Sequence, residues 1–258
     1  MKKYIPVLLL LLPLASCNKQ VEPAPERSTA FVSIKPFGTK AQIGTNTLLC
    51  WSGGDKIAIV GDDADKPSEF TLRSGAGYSV ASFEGVKPEG GSYIVCYPSD
   101  ARCDGETFRA SLSTFVNHAV PNQPLGILPM WGRSRDLSSV TLGSPCGILK
   151  LELKGEGNLK SITLDAGKPI SGEFLYNIAA DLFAMIGGAN IITMYASDTE
   201  LLPTRAVPFY FILPPGEYDE LVFNITDSSD DETYITVDDA VEIEAGTFST
   251  ISYDLTAI

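Results

Sequence analysis

LKLELK, residues 149–154, is the stretch of sequence that decides the fold. Its leucines occupy every second position, and a lysine or a glutamate stands at each position between them. Side chains on a β-strand point alternately to the two faces of a sheet, so a period of two is the signature of a strand. The stretch therefore predicts a sheet with one buried face and one face in water.

The same alternation of apolar and polar residues continues, in short runs, through the rest of the chain from residue 29 onward. Short runs rich in Val, Ile, Phe, Tyr and Thr are interrupted by clusters of Gly, Pro, Asn or Asp, which is typical of β-sandwiches and barrels. Helical spacing occurs only across residues 175–186, where a strand and a short helix both remain open. The strands are predicted near residues 31–34, 56–60, 69–72, 79–83, 93–97, 108–116, 140–142, 148–154, 159–164, 173–177, 191–195, 209–213, 221–226, 233–237 and 248–255.

A break in this pattern suggests two domains. The segment PNQPLG, residues 121–126, is rich in turn-forming residues, and the strand pattern restarts at Leu137. We expect an N-terminal β-sandwich over residues 29–134 and a C-terminal one over residues 135–258. One continuous sandwich is the alternative.

The N-terminus has the layout of an export signal. Lys2 and Lys3 precede an apolar run over residues 4–14, and small residues then lead into Cys17. The run is too short to cross a hydrocarbon core of about 30 Å as a helix. The sequence LASC, residues 14–17, resembles the bacterial lipobox, in which the cysteine is lipidated and becomes the first mature residue. We expect a signal peptide over residues 1–16, a lipid anchor on Cys17 and a flexible tether over residues 17–28; a plain secretory signal is the alternative.

Charge argues against two classes of partner. The formal net charge is -13 at pH 7, and it becomes -15 when Lys2 and Lys3 leave with the signal peptide. A surface this acidic repels nucleic acid and anionic lipid headgroups. We therefore expect no nucleic-acid partner and attachment to the membrane through lipid alone.

Four cysteines remain when Cys17 is assigned to lipid, and four cysteines allow three disulfide connectivities. Cys96 and Cys103 flank a turn-rich segment, so a disulfide that closes a hairpin is plausible between them. Cys50 and Cys146 sit in apolar runs and are expected to be free buried thiols. No CxxC spacing occurs, which argues against a zinc or redox motif.

No combination of residues indicates a reaction. His118 is the only histidine, and no G-x-S-x-G motif accompanies it. The acidic runs at residues 62–65 and 227–232 lack the spacing of a calcium loop and are interpreted as solvated turns. Trp51 and Trp131 could stack on a sugar or pack in a core. The sequence thus predicts no catalytic residue, no metal site and no cofactor.

Several short motifs, taken in order, resemble the fimbrillin-like (Mfa-like) lipoproteins of Bacteroides-type bacteria, a family that includes type V pilus subunits. Besides the lipobox, they are WSGGDKI (51–57), FEG (83–85), YP (97–98), CGILKL (146–151), SG (171–172) and FYFILPPG (209–216).

This resemblance implies a non-enzymatic protein made of two transthyretin-like β-sandwiches and anchored to the outer membrane through Cys17. It also implies trimming by an Arg-specific protease, for which Arg27 is one candidate site, and assembly with other pilin-like subunits by β-augmentation. The chain ends at residues 254–258, directly after the last predicted strand, which favours a tip, accessory or anchoring subunit. A surface lipoprotein that binds a glycan or host ligand without a pilus role is the alternative, and a hydrolase using His118 is a third hypothesis.

Overall fold

The computed structural model describes residues 26–39, 49–118 and 125–257. Within these ranges the chain forms twenty-two β-strands and a 3₁₀ turn at Leu255–Ala257. No described segment is a helix with the length and apolar character needed to cross a membrane. The predicted all-β class is therefore confirmed. The predicted signal peptide and Cys17 lie outside the described residues.

The strands are numbered in chain order. They are β1 Arg27–Ile34, β2 Gly38–Thr39, β3 Lys56–Gly61, β4 Ser68–Ser74, β5 Val80–Val86, β6 Tyr93–Tyr97, β7 Arg102–Cys103, β8 Thr107–Leu112, β9 Phe115–Asn117, β10 Met130–Ser134, β11 Val140–Leu142, β12 Gly147–Lys154, β13 Asn158–Asp165, β14 Gly172–Asn177, β15 Leu182–Met185, β16 Ile191–Glu200, β17 Val207–Leu213, β18 Gly216–Tyr218, β19 Leu221–Asp227, β20 Glu232–Val237, β21 Val241–Ile243 and β22 Thr247–Asp254.

The first core is built on a seven-stranded sheet, sheet I, with the order β10-β6-β3-β4-β5-β1-β11. Its two outer strands meet where Trp131 and Gly143 each donate a backbone hydrogen bond to the other, at 3.0 and 2.9 Å. The sheet therefore curls back on itself and encloses its own apolar face. Trp51 is buried in this core, with its ring edge-on to Phe83 and Tyr97 at centroid distances of 4.9 and 5.2 Å.

A four-stranded sheet, sheet II, completes the first core and has the order β15-β14-β8-β7. Phe108 on β8 meets Phe174 on β14 edge-to-face at 5.9 Å, and Phe174 stacks on Phe183 of β15 at 4.5 Å. Phe108 and Phe174 are fully buried in the first core together with side chains of sheet I. The segment 175–186, whose sequence allows a strand or a short helix, is thus a β-hairpin.

The second core is a sandwich of two sheets. Sheet III has the order β17-β12-β22-β2, and sheet IV has the order β20-β19-β13-β16-β9. The three leucines of LKLELK, Leu149, Leu151 and Leu153, are fully buried between them, while the lysines and the glutamate of that stretch stay partly exposed. The prediction that this stretch forms a strand with one buried and one exposed face is confirmed.

The boundary between the cores differs from the predicted division after residue 134. Strand β11 adds parallel to β1 in sheet I, so the first core continues to Cys146. The β14–β15 hairpin also packs in the first core, although it comes from the second half of the chain. In the other direction, β2 joins sheet III and β9 joins sheet IV. The two β-layered cores are therefore interleaved along the chain, because strand pairing overrides sequence order.

Candidate functional site: the first strand and its groove

Strand β1 lies inside sheet I with a neighbour on each side. It pairs antiparallel with β5 over seven positions, from Arg27 opposite Val86 to Ser33 opposite Val80. On its other side it runs parallel to β11. Backbone hydrogen bonds beyond the ladder extend this pairing, with Phe31 N donating to Leu137 O at 2.8 Å and Lys35 N to Leu142 O at 2.7 Å. The first strand therefore fills a slot between two other strands.

The inner face of β1 is apolar and buried. Ala30, Val32 and Ile34 alternate with outward-facing residues, and Ala30 and Val32 are fully buried. Ala30 stands opposite Phe83 of β5, and Val32 lies between Ala81 of β5 and Val140 of β11. Without β1, the slot would be a groove with an apolar floor, and the edges of β5 and β11 that face β1 would be unpaired. We call this the β1 groove, bounded by β5 and β11.

Arg27, the predicted trimming site, is the first residue of β1. Its side chain is 67% exposed, and its Nε lies 3.1 Å from Glu84 Oε1. The preceding residue, Glu26, accepts a hydrogen bond from Lys87 N at 2.9 Å. Cleavage after Arg27 would leave residues 28–34 in the slot. Trimming at this position stays a prediction, and by itself it would not open the β1 groove.

The four cysteines of the described segments are all thiols in the structure. Cys50 and Cys146 are buried, as expected. Cys96 lies on β6 of sheet I, and Cys103 lies on β7 of sheet II. A hydrogen bond joins their sulfurs. The structure thus places the predicted pair side by side without the covalent bond, and the disulfide stays a prediction.

The remaining candidates from the sequence do not converge. The ring of His118 lies 4.6 Å from that of Phe209, and burial lowers the pKa of this histidine. The carboxylate of Asp62 accepts backbone hydrogen bonds from Gly91 and Ser92, which makes it a loop cap. Within residues 26–39, 49–118 and 125–257, no group of three or more His, Cys, Asp or Glu side chains could hold a metal ion.

The two tryptophans are not free to stack on a sugar. Trp51 is 1% exposed. Trp131 is partly buried on β10, and its ring lies 6.2 Å from that of Tyr176. Both rings therefore serve the first core.

Comparison with known proteins identifies the fold. No family model and no curated protein sequence matches the chain. A crystal structure from Bacteroides ovatus, proposed to act in cell adhesion, is similar over 90% of this chain and 92% of that one, with 13% identity and a TM-score of 0.58. A Bacteroides fragilis protein proposed to act in cell adhesion is 9% identical, covers 86% and 92% of the two chains and has a TM-score of 0.44.

The tip fimbrial protein Mfa3 of Porphyromonas gingivalis, solved with a C-terminal truncation, is 11% identical, with coverage of 81% and 82% and a TM-score of 0.37. Of these three, the Bacteroides ovatus protein is close enough to show a shared fold. The chain therefore has the fold of this Bacteroides protein, in agreement with the resemblance to the fimbrillin-like lipoproteins noted in its sequence.

Proposed function

We propose that the protein is a lipid-anchored fimbrial or fimbria-associated subunit that acts in adhesion or pilus assembly by β-strand exchange. The position of β1 is the observation that carries this proposal. It is the first strand of the described chain, it lies between β5 and β11, and its apolar side chains reach the core. A strand of another subunit with the same alternation could take its place, because ladder hydrogen bonds and small pockets for alternate side chains suffice for recognition.

The pattern of the β1 groove sets the requirements for a donor strand. Positions equivalent to Ala30, Val32 and Ile34 must be apolar, and the first of them is expected to be small because it stands opposite the buried Phe83. The donor would run antiparallel to β5 and parallel to β11. A strand shifted by one residue would turn its polar side chains into the core, so register is strongly specified.

A variant in which β1 is locked in place tests this proposal. Ser33 and Val80 are paired across β1 and β5 and face outward, so the double variant S33C/V80C can tie the two strands together. Val222 and Thr236 form an equivalent pair across β19 and β20 in the second core, and V222C/T236C is the matched control.

Tagged full-length protein is recovered from outer-membrane extracts, and the proteins that accompany it are identified by mass spectrometry. We expect other β-sandwich pilin-like subunits with the wild-type chain and with the control. We expect them to be lost with oxidised S33C/V80C and regained when that variant is reduced. Equal recovery with the oxidised lock would exclude strand exchange at β1, and a wild-type chain recovered alone would contradict the fimbrial role.

The lipid anchor is a separate part of the proposal. We propose that Cys17 carries the lipid and holds the protein at the outer membrane, since several acyl chains make an anchor stable. Incorporation of labelled fatty acid and sedimentation with membranes should both be lost in C17S. A labelled C17S protein that still sediments would place the anchor elsewhere.

A glycan ligand remains the second candidate function, and a different surface now favours it. Three exposed aromatic residues, Phe115, Tyr195 and Tyr234, lie on the outer face of sheet IV, with exposures of 60%, 49% and 61%. Phe115 and Tyr195 are stacked at 6.2 Å. Between them and Tyr234 the same face presents hydrogen-bonding groups, including Thr163 and Thr193, whose hydroxyls lie 3.1 Å apart. Flat rings beside neutral polar groups suit a sugar face.

Glycan-array binding distinguishes this candidate. The double variant F115A/Y195A should lose any signal, whereas Y78A should keep it. Tyr78 is also highly exposed, at 71%, but it lies beside Trp51, whose backbone N donates to Tyr78 O, and not on sheet IV. A wild-type protein that binds nothing on the array would remove the glycan hypothesis and leave the fimbrial one untouched.

A further inference from the structure

The two layers of the first core come into direct contact at a pair of cysteines. Cys96 pairs with Trp131 of β10 and with Ala58 of β3, which places it in the interior of sheet I. Cys103 pairs with Phe108 at the edge of sheet II. Cys103 packs against the core cluster that contains Cys96, and a hydrogen bond joins the two sulfurs.

The surroundings of the two sulfurs are unequal. Cys96 is 1% exposed, whereas Cys103 is half-buried. The Cys103 sulfur accepts hydrogen bonds from the Cys96 thiol and from the backbone of Gly105, and the guanidinium of Arg133 lies nearby, held by a hydrogen bond to Gly105 O.

These contacts favour the thiolate at Cys103. The hydrogen bond from Cys96, followed by those of the backbone and the charge of Arg133, lowers the pKa of Cys103, against burial and the nearby carboxylate of Asp104. The same hydrogen bond, with burial, raises the pKa of Cys96. A partly exposed cysteine with a lowered pKa is the typical reactive cysteine, and a neighbouring thiol is the typical resolving partner.

We propose that Cys96 and Cys103 are a reversible dithiol–disulfide pair, in which Cys103 attacks an external organic disulfide and Cys96 resolves the product. In the first step the Cys103 thiolate forms a bond to one sulfur of the oxidant and expels the other sulfur as a thiolate. In the second step Cys96 loses its proton and attacks Cys103, which expels the remaining half of the oxidant. The protein loses two hydrogen atoms, and the oxidant is reduced to two thiols.

The other two described cysteines are poorly suited to this chemistry. Cys146 is fully buried, and burial raises its pKa to about 12. Burial also raises the pKa of Cys50, and the charge of Asp55 adds to that shift. Both therefore stay protonated and shielded, and they serve as internal controls.

The bond would have a structural consequence. It would tie β6 of sheet I to β7 of sheet II, and β7 is connected through β8 to the β14–β15 hairpin. The two layers of the first core, already joined here by the loop of residues 98–101, would gain a second covalent link that closes this loop. This inference does not depend on the proposed fimbrial function.

Oxidation with glutathione disulfide tests the proposal on the folded, purified chain. Intact mass and peptide mapping after alkylation report the result. The wild-type protein should lose two hydrogen atoms, with a peptide that links Cys96 to Cys103, and the double variant C50S/C146S should behave identically. C96S should instead retain glutathione on Cys103, because the resolving thiol is missing. C103S should remain unmodified at Cys96.

Three results would overturn the proposal. One is that Cys96 and Cys103 of the wild type are both still alkylated when the oxidised protein is unfolded before alkylation. Another is a stable glutathione adduct on wild-type Cys103, which would show that Cys96 does not resolve it. The third is a disulfide that involves Cys50 or Cys146 in a protein whose circular dichroism is unchanged.

Discussion

Replacing Val32 by alanine tests whether the inner face of β1 is part of the first core. Val32 is fully buried between Ala81 and Val140. The change removes two buried carbon groups at roughly 0.8 kcal/mol each, or about 1.6 kcal/mol. The cavity left behind raises the loss to about 2 kcal/mol. At an m value of roughly 2 kcal/mol per molar urea, the unfolding midpoint should fall by about 1 M.

Tryptophan fluorescence is the suitable assay, because both tryptophans, Trp51 and Trp131, pack in the first core. Val80→Ala is the matched control, since Val80 faces outward on the neighbouring strand and is 58% exposed. Its midpoint should move by less than about 0.25 M, which corresponds to the roughly 0.5 kcal/mol of a surface substitution. If Val32→Ala costs no more than Val80→Ala, β1 does not anchor in the core and the β1 groove has no apolar floor.

Other expected outcomes follow from the first core. Gly85→Ala should destabilise the protein by about 1–3 kcal/mol, because overpacking is costly and a new Cβ would lie 2.5 Å from the Phe70 ring; Gly53→Ala, with nothing within 4 Å of its new Cβ, should be nearly neutral in the same urea titration. Alkylation of Cys103 should reach half its maximal rate at a lower pH in the folded protein than in urea, because its folded-state pKa is lowered, chiefly by the hydrogen bond from Cys96; a higher pH in the folded state would contradict that environment. A disulfide between Cys96 and Cys103 closes a loop of eight residues. It should stabilise the first core by about 2.5 kcal/mol, because it lowers the conformational entropy of the unfolded chain. The difference in urea midpoint with and without reductant measures this effect.

The sequence was most informative where local alternation was strong. LKLELK predicted β12 and its buried leucines, and the limits of β6 and β11 were predicted without error at residues 93–97 and 140–142. The two-residue strands β2 and β7 were missed, because so short a segment carries no periodicity. The 175–186 segment was ambiguous because a hairpin with exposed apolar residues, such as Leu182 and Ile186, imitates the spacing of a helix.

The sequence predicted only part of the candidate site. The strand at residues 31–34 was predicted, but its pairing with β5 and β11 was not, because the pairing of Val32 with Val140 joins positions far apart in the chain. For the same reason, the predicted division after residue 134 did not anticipate that β11, which lies beyond it, joins sheet I. The sequence allowed Trp51 and Trp131 to pack in a core or to bind a sugar. The structure shows that both pack in the first core, and this burial could not be read from the sequence.

Uptake of an added first strand tests the central claim most directly. A chain that begins at Lys35 lacks β1, and a fluorescent peptide of residues 27–35 supplies it in trans. We expect fluorescence anisotropy to show saturable binding to the shortened chain, little binding to a chain that begins at Ser28, and none for a peptide in which Val32 is replaced by aspartate. A shortened chain that stays folded but ignores the peptide, or a chain from Ser28 that binds it equally well, would contradict the account.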